Sequence, residues 1–296
     1  MGAHDRSASP LWTDTATKWR LYPEDARPAG ADTGQEDAVR AFDRARAALL
    51  AGRVAEAGED FLAAAGARDN ALDHVGIGDV AAARGDWSGA SESYERAKAI
   101  DGDDPIVRIG LAQARIARGD AWSATERLGA IVEEGAPPDA QRAGLPPGHP
   151  VSRYYLAAAL LAAADQVRGR TRDEVPVFTH ARQLDLCAGL ATRALALRVD
   201  AAEVNTQARR LLDEVAAGRR WTWDSPSIPV YAVLSVLGGL GVVVAGGLLG
   251  SVALVIAGVA FGPGMICWLV ITYRREAWRR TAERLAPLIW RRGVAD

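Results

Sequence analysis

From Ile228 to Thr272 the chain runs 45 residues without one charged side chain. About 20 apolar residues in a helix cross the roughly 30 Å of hydrocarbon in a bilayer. The stretch is too long for one span and fits two, joined by the glycine-rich segment Gly246–Ser251. A two-helix transmembrane hairpin over residues 228–273 is therefore expected, and the rest of the chain has to be compatible with it.

The flanks of this segment agree with a membrane interface. Trp221, Trp223 and Tyr231 cluster where it begins; Trp268, Tyr273 and Trp278 cluster where it ends. Tryptophan and tyrosine concentrate at headgroup depth, and a hairpin puts both groups on one side. Arg219 and Arg220 precede the segment, Arg274 and Arg275 follow it, and the turn carries no charge. By the positive-inside rule both termini are expected in the cytoplasm, which makes the protein a two-span cell-membrane protein. Met1–Gly30 has no continuous apolar core, so insertion is expected to be directed by the hairpin. Gly246 and Gly250, like Gly258 and Gly262, have small-xxx-small spacing that permits close packing within the hairpin or between copies in a homo-oligomer. Pro263 is expected to kink or loosen the second span.

Charge is unevenly spread. Residues 221–296 hold seven arginines against four acidic residues, a net of +3, which leaves −5 on the other 220. An acidic soluble part with a basic membrane end argues against nucleic acid and for an anionic lipid surface. Residues 274–296 read as a basic amphipathic helix on that surface, with Trp278, Ala282, Leu285 and Ile289 on one face. The two cysteines, Cys187 and Cys267, have no metal-ligand or redox spacing, and the four histidines form no zinc or triad pattern. Gly76-Ile77-Gly78 lacks the third glycine of a dinucleotide loop. No catalytic residues, metal or cofactor are expected.

Residues 1–35 are rich in Pro, Asp, Thr, Ser, Ala and Gly and read as a disordered tail, within which Leu11, Trp12, Trp19, Leu21 and Tyr22 could form a docking peptide. Residues 36–217 are Ala-rich and helical in pattern. Arg84-Gly85-Asp86 recurs 34 residues later as Arg118-Gly119-Asp120. In Ala71–Asp104, Gly78 and Ala81 take small positions of a first helix, Gly85-Asp86-Trp87 the turn, and Ala90, Tyr94 and Ala97 the small-aromatic-small positions of a second. A unit from Pro105 repeats this with Leu111-Ala112, Gly119-Asp120, Ala124 and Leu128, and an earlier one has Ala45, Ala48, Gly52, Ala57, Phe61 and Ala64. Small residues let antiparallel helices approach, and large ones fill the gap to the next pair. This pattern resembles the tetratricopeptide repeat family over residues 36–217, with about four helix pairs and a capping helix. The fourth pair, Val151–Gln166 with Leu184–Val199, is split by a charged loop, Val167–Thr179. Gly135–Pro150 is an insertion, residues 218–227 are a juxtamembrane linker, and Asp200 and Glu203 form a capping-box pair ahead of the final helix.

The fold expected is all-α: a tetratricopeptide-like helical solenoid followed by a transmembrane hairpin. The resemblance implies a concave face lined by the first helix of each unit: Val39, Phe42, Arg46, Leu49 and Leu50; Leu72, Val75, Asp79, Ala82 and Ala83; Ile106, Ile109, Gln113, Ile116 and Ala117. These are mostly apolar, which disfavours the carboxylate-gripping mode known in the family. Phe42, Leu72, Val75, Ile106 and Ile109 are the expected partner-binding residues, for an apolar helix or strand of another protein or for the chain's own Trp12–Tyr22. The function implied is a non-enzymatic adaptor that recruits a protein to the membrane. The rival class is a membrane-active effector whose hairpin oligomerises and breaches the bilayer.

Overall fold

The computed structural model describes residues 10–22, 36–135, 147–223 and 228–293. These are mostly helical, with twelve α-helices among the described residues and five short strands beside them. The chain divides into two units: residues 1–167 with 186–212, and residues 168–185 with 213–296.

The first unit contains α1 (Glu36–Leu50), α2 (Val54–Arg68), α3 (Ala71–Ala83), α4 (Trp87–Ile100), α5 (Pro105–Ala117), α6 (Ala121–Glu134) and α7 (Pro150–Val167). Each packs on the next, and α1, α3, α5 and α7 also touch in series as one layer. The repeated Arg-Gly-Asp triplets explain how each pair turns. Arg84 and Arg118 end α3 and α5, Gly85 and Gly119 take positive φ of 82° and 85°, and Asp86 and Asp120 cap the following helices. Their carboxylates accept from Gly89 N at 2.9 Å and Ser123 N at 3.2 Å, satisfying amides that a helix start leaves open. Asn70 and Asp104 cap α3 and α5 in the same way, through Leu72 N and Ile106 N. The triplets are structural punctuation.

Tyr94 shows why the small residues are where they are. Its buried ring lies against Gly78 and Gly110, where an added Cβ would sit 2.5 Å and 2.8 Å from ring atoms. Gly76 gives Phe61 the same room, at 2.3 Å. The helices α8 (Ala181–Ala196) and α9 (Ala202–Gly218) each have one part in this unit and one in the second. Within the first unit Cys187 Sγ lies 3.5 Å from the Ala164 carbonyl, and Arg153 donates to the Leu197 carbonyl at 2.9 Å.

The second unit departs from the expected pattern. The Val167–Thr179 loop is built as two strands, β1 (Gly169–Thr171) and β2 (Pro176–Val177). In place of a wholly irregular linker, residues 218–227 hold β3 (Trp221–Trp223), with 224–227 outside the described residues. Two further helices follow, α10 (Ile228–Leu248) and α11 (Val252–Tyr273). The basic segment 274–296 is not one helix. It is β4 (Arg274–Glu276), the short α12 (Ala277–Leu285), a 3-10 turn at Ala286–Leu288, and β5 (Ile289–Arg291). Pro287, with no amide to donate and a ring that clashes with the preceding turn, ends the helix there. β1 pairs with both β2 and β5, and β3 pairs antiparallel with β4 in the register Trp221↔Glu276, Thr222↔Arg275, Trp223↔Arg274.

The β3–β4 ladder fixes where the apolar helices start and finish: β3 precedes α10, β4 follows α11, and the two are hydrogen-bonded side by side. The helices pack on each other through glycine. A Cβ on Gly258 would lie 2.8 Å from the Gly239 carbonyl, and one on Gly246 would lie 2.8 Å from Val255 N. These glycines are thus used inside the pair, while Gly238, Gly241, Gly247 and Gly264 face open space. α11 continues through Pro263.

Gly78→Ala is expected to destabilise the full-length protein by about 1–3 kcal/mol, the typical cost of overpacking, while Gly129→Ala, where a Cβ meets nothing within 4 Å, is expected to be neutral or stabilising. Urea unfolding in detergent, followed by helical circular dichroism, measures both.

Candidate functional site

The layer of α1, α3, α5 and α7 is not empty. Residues 10–22, expected within a disordered tail, lie along it as two short 3-10 turns, Leu11–Thr13 and Thr17–Leu21. The turns pack on α5 and α7, and Trp19 enters the cluster formed by Phe42, Phe61, Leu72 and Val75. Residues 1–9 and 23–35 lie outside the described residues.

The centre of the site is the buried carboxylate of Asp79 on α3. Lys18 Nζ lies 2.5 Å from Oδ1 with both side chains at 0% exposure. Trp19 Nε1 donates to Oδ2 at 2.7 Å and Tyr94 OH to Oδ1 at 2.7 Å. The ammonium of Lys18 has a second acceptor, Gln113 Oε1 at 2.9 Å. Burial disfavours both charges: it pushes the Asp79 carboxyl up and the Lys18 ammonium down, while their mutual attraction and hydrogen bond oppose both shifts. Burial, reinforced by Asp79, also holds the Tyr94 hydroxyl well above its ordinary value, so it acts as a donor.

Other side chains grip the main chain of the segment. Gln113 Nε2 donates to the carbonyls of Trp12 and Asp14, both at 2.8 Å. Tyr155 OH donates to the Asp14 carbonyl at 2.7 Å and accepts from Lys18 N at 3.0 Å. Arg46 donates to the carbonyls of Trp19, at 3.2 Å, and Tyr22. Tyr22 in turn donates its hydroxyl to Asp104, the cap of α5; burial and that bond raise its pKa. The Trp19 indole forms a three-ring cluster with Phe42, edge-on with centroids 5.9 Å apart, and Phe61, stacked at 6.0 Å, and the two phenyl rings also meet edge to face at 5.9 Å. Trp12 meets Trp87 at 5.1 Å. Arg46, Gln113 and Tyr155 thus hold backbone carbonyls of residues 12–22, and one carboxylate holds the Lys18-Trp19 pair.

The five expected partner-binding residues divide here. Phe42 touches the segment directly, and Leu72 and Val75 share its cluster. Ile106 and Ile109 are both fully buried. None of the five is left as a wet apolar wall. The polar contacts to the segment come from Arg46, Asp79 and Gln113, which belong to the same three rows. They occur at spacings of 33 and 34 residues, which marks them as one repeat position in three consecutive units. That regularity was the available signal. Tyr155 and Lys18 carried none, because their roles arise only from contacts across more than 130 and 60 residues.

Of the expected interface residues, Trp221 and Trp223 lie on β3, with the Arg274 guanidinium 5.8 Å from the Trp221 ring centroid. Tyr231, on α10, is exposed. Trp268 and Tyr273 pack edge to face at 5.8 Å near the end of α11, and Trp278 on α12 carries the Arg279 guanidinium at 5.3 Å. Compared with known proteins, the chain matches no family model, no curated protein and no solved structure.

Lys18→Met strands a buried carboxylate and is expected to cost up to about 3 kcal/mol, the loss being capped by undocking of residues 10–22. Adding Asp79→Asn should recover part of that loss, giving a coupling of at least ~1 kcal/mol in a double-mutant cycle by urea unfolding. Additive losses would mean that the two charges do not depend on each other.

Proposed function

We propose that the protein is a membrane-anchored adaptor. A tetratricopeptide-like helical domain is held on the cytoplasmic face by α10 and α11 and recruits a polypeptide through its concave groove. The groove is closed by the chain's own N-terminal segment until a partner displaces it. The observation that carries this reading is the seating of Lys18 and Trp19 on Asp79. The segment contributes no helix to the array, yet the array supplies it with a carboxylate, an aromatic cluster and five hydrogen bonds to its carbonyls from Arg46, Gln113 and Tyr155. It is joined to α1 only through residues 23–35, thirteen positions that include Pro23, Pro28, Gly30 and Gly34. A ligand tethered in this way is present at high effective concentration and imposes a threshold that a partner must exceed.

The membrane part of the proposal rests on surface chemistry. Val230–Leu248 has a mean hydropathy of 2.0 over a length able to cross a bilayer. Leu234, Leu237, Val244, Ile256 and Phe261 point outward and are exposed, a contiguous apolar surface that water would penalise. Two spans that start and end at the β3–β4 ladder would share one interface, and the arginines beside it favour the cytoplasmic side. The adaptor reading needs no catalytic group.

The reading predicts that reporters fused at residue 220 and at the C-terminus give the same cytoplasmic signal, and opposite signals would refute the two-span anchor. Photo-crosslinking from native membranes tests recruitment. Lys18→Ala is expected to raise the yield of crosslinks from the groove to a partner several-fold, and an added peptide of residues 10–22 to suppress them. A yield unchanged by both would contradict a displaceable segment.

A further inference from the structure

The second unit holds a cavity of about 400 Å³ between the β1–β2 connection to α8 and the α12–β5 cap. Its polar lining is Thr179, His180, Arg279 and Arg292, with Glu283; Trp278, Ala282, Ala286 and Ile289 form its apolar side. The cap is fastened from beneath. Thr179 Oγ1 and Gln183 Nε2 donate to the Arg292 carbonyl at 2.8 Å and 2.9 Å, and β5 is hydrogen-bonded to β1. The cavity is therefore framed by paired backbone on one side and a helix on the other.

Its charge is not balanced internally. The one carboxylate in the lining, Glu283, is engaged by Arg275 at 2.9 Å. Among the described residues neither Arg279 nor Arg292 forms an ion pair with a carboxylate. Arg279 is instead spread over the Trp278 ring, whose Nε1 is tied to Glu276 at 2.5 Å. Two guanidiniums and a histidine around one cavity match the oxygen array of a phosphate, which arginine binds through paired N–H donors; the Thr179 hydroxyl is spent on the Arg292 carbonyl. The apolar side matches a group that carries carbon beside its phosphate. Position adds a further constraint: β4 follows α11 directly and α12 follows β4, so the cavity belongs to the segment that leaves the apolar helices.

We infer that this cavity binds a phosphate ester, and that its source is the headgroup of an anionic phospholipid in the membrane that holds α10 and α11. The inference rests on the membrane reading above. It changes that reading in one respect: the basic C-terminal segment grips one lipid in a defined seat rather than spreading on the surface as an amphipathic helix. A bound headgroup would join α12, β5 and the residue 179–180 connection, so that lipid composition stabilises the cap.

The test uses the full-length protein in nanodiscs of phosphatidylcholine containing one-fifth phosphatidylglycerol. Lipid retained after transfer to detergent is counted by native mass spectrometry. The wild type is expected to keep about one phosphatidylglycerol per chain, and Arg279→Gln with Arg292→Gln to reduce this about tenfold. Arg284→Gln, which removes an exposed charge of the same helix outside the cavity, should leave retention unchanged. Ala282→Leu, which narrows the cavity without removing charge, should lower it. A second arm adds glycerol 3-phosphate to the protein in detergent and follows thermal unfolding. A shift abolished by the double variant, with no lipid retained, supports the phosphate-ester site and moves its source to a soluble ligand. Equal losses for Arg284→Gln and the double variant would overturn the proposal in favour of diffuse attraction. No retention and no shift, in protein that resists carbonate extraction, would overturn the cavity and leave the anchor standing. Release by carbonate would refute the anchor itself.

Discussion

The arrangement of the helical unit turns on one buried carboxylate. Asp79 sits inside a layer of helices where an unpaired charge would cost several kcal/mol. It is compensated by three donors from two places: Tyr94 on the neighbouring helix, and Lys18 and Trp19 on the N-terminal segment. The helices alone supply only one of the three. Tyr94 reaches Asp79 because Gly78 and Gly110 clear space for its ring. The glycines that set the helix spacing therefore also set the polarity of the groove. Repeat packing and recognition share the same residues.

This coupling explains how a largely apolar layer also holds a polar segment. Phe42 and Phe61 provide area for an indole, but apolar area does not choose a sequence or a direction. Direction comes from carbonyls gripped by Arg46, Gln113 and Tyr155, and identity from the Lys-Trp pair on Asp79. A buried ion pair is a poor source of net stability, because desolvation offsets most of its attraction. A segment lacking the cation would leave the carboxylate stranded. The same argument limits how tightly the tethered segment is held.

Much of the helical order was legible in the chain because repeats impose fixed spacings. The 34-residue recurrence of Arg-Gly-Asp located two turns, and the structure assigns each letter a physical job: C-cap, positive φ, N-cap. The apolar run 228–272 located α10 and α11. Most contacts far apart in sequence leave no such trace. Five strands of two or three residues carry no periodicity, and β1 and β5 meet across more than a hundred residues. The basic end looked like one helix because its arginines and apolar residues have helical spacing, and Pro287 was the overlooked stop. Residues 10–22 looked disordered because low apolar content predicts that a segment cannot build its own core. As a docking peptide, the alternative reading of its aromatic residues, the segment borrows the core of the helices. Arg46, Asp79 and Gln113 were on the concave rows all along, and their matching repeat position is the trace the site leaves in the sequence.

The central claim is that residues 10–22 are a ligand held by the groove rather than a permanent part of its core. Amide hydrogen exchange of the full-length protein measures this directly, because a docked segment opens without unfolding the helices. The account predicts that the amides of Lys18, Trp19 and Tyr22 exchange together, with an opening free energy well below that of α3 and α5. If they exchange only in the same global event as those helices, the segment is core, and the groove is not a site.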